Sequence, residues 1–99
     1  MRMPPEDRKI QLRKAALEVA KIIGYRATTR QLIAEHAKVS GALVPFHLGD
    51  ADTMRKTILH DGCEEGCINL IVEGVLDKDR VAIKAAQKHK DAIIKVLFK

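Results

Sequence analysis

An all-α domain of about five helices is the fold this sequence predicts, and three observations predict it. Aromatic residues are only 3% of the 99 residues (Tyr25, Phe46 and Phe98), and the β-branched residues form no alternating runs, which disfavours a sandwich or barrel. Ala, Ile, Leu and Val recur instead at helical spacing, with Gly, Pro, Ser, Thr and Asp where helices begin and end. The hydrophobic share of 46% and charged share of 31% belong to a globular chain of one domain's length.

Pro4-Pro5 followed by Glu6-Asp7 starts a first helix over 6–23, because Pro fits the first turn and acids suit the positive end of the helix dipole. Its apolar positions are Ile10, Leu12, Ala16, Val19, Ala20 and Ile23, and Gly24 ends it. Thr28 or Thr29 caps a second helix, Arg30 to Ala37, whose buried side is Leu32, Ile33 and Ala37. Lys38-Val39 makes a tight turn, and Ser40 is placed to cap a third helix over Gly41 to Leu48. Pro45 lacks an N–H and disfavours helical Val44, so that helix is expected to be short, kinked or partly 3₁₀.

Asp50 or Asp52 caps a fourth helix reaching from about Ala51 to Leu76, with a break at one of its glycines as the alternative. Gly62, Gly66, Cys63 and Cys67 put small groups on one stripe, which permits close approach of another helix, within the fold or from a second subunit. Asp77 or Asp79 caps a last helix, about 79–98, with Val81, Ala82, Ala85, Ala86, Ala92, Ile93, Val96 and Leu97 on its apolar side. Residues 1–50 thus form a helical head and 51–99 a tail of one domain.

Charge is segregated along the chain. Residues 1–49 carry nine Lys or Arg against four Asp or Glu, net +5; residues 50–77 two against seven, net −5; residues 78–99 seven against two, net +5. Basic flanks around an acidic element suit a nucleic-acid binder, or neighbouring helices that neutralise one another, with Lys84, Lys88 and Lys95 facing the acidic fourth helix. Arg8, Lys9, Arg13 and Lys14 of the first helix either flank a DNA backbone or form a solvated face. No apolar run approaches the ~20 residues that span a bilayer, the first residues lack a signal-peptide core, and two cysteines build no disulfide framework. A cytoplasmic setting without a membrane partner is the expectation.

Ala15-Ala16-Leu17-Glu18, Gly24-Tyr25-Arg26-Ala27-Thr28-Thr29, Leu32-Ile33-Ala34-Glu35-His36-Ala37 and Val39-Ser40 are followed by His47, Leu48, Gly49 and Met54. Residues 10–54 in this pattern resemble the N-terminal helix-turn-helix DNA-binding domain of TetR-family regulators. The resemblance implies a three-helix head whose third helix enters the major groove, with the fourth linking it to a dimerising body. Thr29 and Arg30 then lie near phosphate, Ser40, Gly41 and Leu43 on the groove side, and His47 near the backbone. With Thr28 from the capping pair, Lys38 from the turn and Phe46 from the third helix, these are the candidate DNA-contact residues. The ~45 residues after the matched stretch are fewer than that family's effector-binding body. No small-molecule effector or cofactor is therefore expected.

Gly41 to Leu48 contains no Arg, Lys, Asn or Gln to read base edges; Leu43 and Phe46 offer only apolar contact, as to a thymine methyl. Two functions of different class follow. One is a homodimeric DNA-binding transcriptional regulator on double-stranded DNA. The other is a TetR-like scaffold that captures a protein partner, a regulator or polymerase, through its Leu43–Phe46 surface. His60, Cys63 and Cys67 share one face of an unbroken helix, but their spacing matches no common zinc pattern. No nucleophile–base pair or phosphate loop is identifiable, so neither a metal site nor an enzyme is expected.

Overall fold

The computed structural model describes residues 3–98, and they fold into seven helices: α1 (Pro5–Ile23), α2 (Arg30–Ala37), α3 (Leu43–Leu48), α4 (Ala51–Glu65), α5 (Ile68–Leu76), α6 (Arg80–Lys88) and α7 (Lys90–Leu97). The all-α class holds; the helix number rises because two long segments break. None of the described helices is long and apolar enough to cross a membrane.

Helix α1 packs against α2, α3, α4 and α5, and α6 and α7 pack in turn on α5. The buried residues of α1, Leu12, Ala15, Ala16, Leu17 and Ala20, meet Ile33 of α2, Val44 of α3, Met54 and Ile58 of α4, and Leu70 and Ile71 of α5 in one continuous core. Each fully buried Leu, Ile, Val or Met contributes about 1.5–3 kcal/mol relative to exposure, so this cluster joins the first three helices to the last four. The expected apolar stripe of α1 was drawn too long: Ile10 is 65% exposed and Ile23 is also exposed, because the packing starts at Leu12 and ends at Ala20. Leu32 of α2 is likewise exposed, leaving Ile33 and Ala34 as its buried side.

The segment expected as one fourth helix stops at Gly66, which takes a left-handed conformation (φ 74°, ψ 32°) and donates its N–H to the Gly62 and Cys63 carbonyls. Cys67 N–H then bonds the Gly62 carbonyl at 2.9 Å, and α5 folds back along α4. Gly62 makes that return possible: a Cβ there would lie 2.6 Å from Leu70 Cδ1. At Gly74 a Cβ would lie 2.5 Å from the Ala82 Cβ, so α5 and α6 are in close approach there. The small-residue stripe thus serves contacts inside the chain. The other break falls at His89 (φ −112°, ψ 26°), whose ring packs over Gly66, where a Cβ would come within 3.1 Å of His89 Cε1.

Asp50 and Asp79 are the caps actually used, accepting from Thr53 N–H at 2.8 Å and Ala82 N–H at 2.9 Å. The acidic α4 and α5 pair with cations of the chain's first half: Arg13 binds Asp61 in bidentate fashion, Lys21 Nζ lies 3.5 Å from Glu65, and Arg26 binds Asp77 at 2.9 Å. Lys84, Lys88 and Lys95 close no ion pair among the described residues; Lys84 and Lys88 only border a groove shared with Glu64. The neutralising partner of α4 is α1, which lies along it, and not the C-terminal helices.

The α1–α2 connection is fastened to α5. Glu73 accepts Tyr25 N–H at 2.8 Å and Arg26 N–H at 3.1 Å, and the Tyr25 hydroxyl donates to Asp77. Burial and the Asp77 hydrogen bond push the Tyr25 phenol well above its ordinary value, so it stays a donor at any physiological pH. Gly24, at φ 89°, leaves no room for a Cβ beside the Glu73 carboxylate.

Candidate nucleic-acid interface

The start of α2 is built by two adjacent threonines with different tasks. Thr28 is fully buried and its hydroxyl donates to the Gly24 carbonyl at 2.7 Å, which withdraws it from the surface. Thr29 is exposed, extended in backbone, and caps α2 by accepting from Leu32 N–H at 3.2 Å. Arg30 follows, exposed at the positive end of α2. Asp50 is held below its ordinary carboxylate value first by its Thr53 hydrogen bonds, with a smaller contribution from the Arg30 charge.

Between α2 and α3 the chain turns on Lys38, a non-glycine residue in the left-handed region (φ 59°, ψ 47°). Its N–H reaches the Glu35 carbonyl at 3.3 Å, and Val39 N–H the Ala34 carbonyl at 3.0 Å, so the turn satisfies two of the carbonyls that α2 leaves free. Ser40 is exposed but does not cap with its side chain: its carbonyl accepts Leu43 N–H at 3.1 Å, and α3 begins two residues later than expected. The delay has a physical reason. Starting at Leu43 puts Pro45 in the first turn, where no intrahelical N–H is required.

Short α3 buries Val44 and Leu48, half-buries Leu43, and leaves Phe46 79% exposed, its ring edge-on to His47 at a centroid distance of 4.9 Å. Gly41 is exposed with open space where a Cβ would stand. Thr29, Arg30, Lys38 and Gly41 line one groove of about 610 Å³ across α2 and the turn into α3. Gln31 borders the same groove and was missed by sequence reasoning; its place beside Arg30 in the first turn was the available signal. His47 lies in a different hollow, between α1, α3 and α4, together with Lys9 and Thr53.

The first-helix cations divide accordingly. Arg13 is committed to Asp61, which holds its guanidinium above the ordinary value, and Arg8 donates to Gln11 at 2.8 Å. Lys9 is exposed beside His47. The cysteines stand apart from this surface. Cys63 is buried near the end of α4 and Cys67 precedes α5; burial raises both thiols, so neither is a ready thiolate. Among the described residues no group of three or more His, Cys, Asp or Glu is placed to hold a metal ion.

No family model matches this chain, and neither a curated protein nor a solved structure matches it. What the surface can do therefore rests on its own chemistry. It offers a helix start with an exposed Thr and Arg, a lysine on the adjoining turn, and an apolar tip at Phe46. Cationic side chains and helix N-termini suit phosphate oxygens, and an exposed aromatic ring suits an apolar base edge or a protein groove.

Proposed function

We propose that this protein binds double-stranded DNA in transcriptional control, as a homodimer. The observation that supports it best is the gathering of Thr29, Arg30, Lys38 and Gly41 along one groove that runs from the start of α2 to the turn before α3, with Glu35 as its one carboxylate among the described residues. Arg30 and Lys38 take backbone phosphates, Thr29 and Ser40 add hydrogen bonds, and Phe46 and Leu43 supply apolar contact in the major groove. Lys9 and His47 extend the phosphate track on the α1 side. Two-fold pairing through the tail doubles the contacts over a palindromic site.

Selection from random-sequence duplex DNA at two salt concentrations tests this reading. A palindromic motif that survives the higher salt is the expected result. Arg30→Ala and Lys38→Ala should each weaken binding and reduce the slope of log affinity against log salt by roughly one. Binding that vanishes with salt and enriches no sequence would overturn it.

The exposure of Phe46 favours one alternative, a protein-binding module that captures a regulator or polymerase through α3. Under that reading Phe46→Asp abolishes capture while Arg30→Ala and Lys38→Ala matter little. Leu43→Asp is the poorer probe, because Leu43 is half-buried against the core.

A further inference from the structure

A second concavity, of about 790 Å³, lies where the first half of α4 meets the α5–α6 turn and the α1–α2 connection. From α4 it is lined by Asp52, Arg55, Lys56, Leu59 and His60, spaced as one helix face requires. The α5–α6 turn adds Lys78 and Arg80, and Arg26 stands at the side. Residues 50–77 are acidic in sum, yet their only two cations, Arg55 and Lys56, both line this cleft.

Its carboxylates are largely spent. Asp77 accepts from the Tyr25 hydroxyl and the Arg26 guanidinium, and Asp79 accepts Ala82 N–H and lies 3.8 Å from His60 Nε2. Only the exposed Asp52 retains an uncommitted carboxylate in the lining. Among the described residues Arg55, Lys56, Lys78 and Arg80 close no ion pair. Arg55 goes further: its Nε is buried and has no hydrogen-bond partner. Buried donors are nearly always paired, so this Nε is an unsatisfied group that an acceptor satisfies once the Arg55 side chain turns toward the cleft it lines. A guanidinium fork flanked by ammonium groups matches the oxygens of a phosphoryl group, and buried Leu59 gives the floor an apolar patch.

We propose that this cleft binds a small phosphorylated organic molecule through Arg55, Lys56 and Arg80. The site is independent of the DNA-binding reading: it uses none of the residues of the α2–α3 groove. Phosphate could also reach it from a duplex backbone, and the concave form between three elements favours the free small molecule.

The test is a titration of the ¹⁵N-labelled full chain with inorganic pyrophosphate at constant ionic strength, reading the Arg55 Nε–H resonance. A saturable shift is expected, weakened about fivefold or more by Lys56→Gln and by Arg80→Gln. Both side chains are exposed, so these variants should fold, and Lys14→Gln on α1 should change nothing. A drift that never saturates, or equal affinity in all variants, overturns the proposal. A parallel titration with a 20-base-pair duplex separates the sources. If duplex moves the same Arg55 signal and displaces pyrophosphate, the cleft belongs to a nucleic-acid contact and the small-molecule assignment falls.

Discussion

Lys38 holds the turn between α2 and α3 at a left-handed backbone angle that costs an ordinary side chain on the order of 1 kcal/mol and glycine almost nothing. Its ammonium also borders the groove shared with Thr29 and Arg30. The two roles pull apart in Lys38→Gly. That variant should gain up to about 1 kcal/mol of stability in urea unfolding while losing DNA affinity and salt slope as Lys38→Ala does. Lys38→Ala keeps the strain, so a stability gain from Ala equal to that from Gly would count against this account. The turn at Lys38 was legible in the sequence, since its neighbours marked a helix end and a new start. The partition between Thr28 and Thr29 was not: either could cap, and only the burial of Thr28 against the Gly24 carbonyl decides it.

At the scale of elements, the glycines of α4 and α5 set how closely the tail helices approach. Replacing helical Gly by Ala gains about 1 kcal/mol of helix propensity where space allows. At Gly74 it does not, because the new Cβ meets the Ala82 Cβ, which moves only if α5 and α6 separate. Gly74→Ala should therefore be destabilising by about 1–3 kcal/mol. Gly62→Ala should cost less, because its nearest obstacle is the Leu70 Cδ1 at 2.6 Å, a side-chain end that a rotamer change can shift, although buried Leu70 also sets its Cβ 3.2 Å away. Urea midpoints of the two variants check the order; a stabilised Gly74→Ala would refute the close approach. A glycine break in the fourth segment was an open alternative from sequence, but which glycine breaks depends on Leu70 folding back onto Gly62. The break at His89 carried no local signal, since neither Gly nor Pro marks it and its ring is held by packing over Gly66. Ser40 misled for a related reason: a good cap residue two positions early is overruled by the need to bring Pro45 into the first turn.

For the whole molecule, the charge blocks and the uncovered apolar surface bear on assembly. The basic first half neutralises much of the acidic middle along α1, so Lys84, Lys88 and Lys95, which close no ion pair among the described residues, are left to solvent or to another molecule. Helix α7 buries none of its residues fully, although Ile94, Val96 and Leu97 are apolar and Phe98 follows them, and Leu76 at the end of α5 is 78% exposed. An eight-residue helix is marginal alone in water, so α7 gains most from a surface that covers it. In the homodimer proposed above that surface is the tail of a second copy, and lysines around the apolar residues keep the pairing from growing into larger aggregates. Leu76→Glu and Leu97→Glu change exposed side chains and should leave the monomer's stability within about 0.5 kcal/mol. Sedimentation should show the parent chain as a concentration-dependent dimer and the double variant as a monomer. DNA affinity should then fall to that of a single head, with only one half-site protected. A parent chain that sediments as a monomer at high concentration, or a double variant that still dimerises, would remove the tail from the interface and with it the two-fold site.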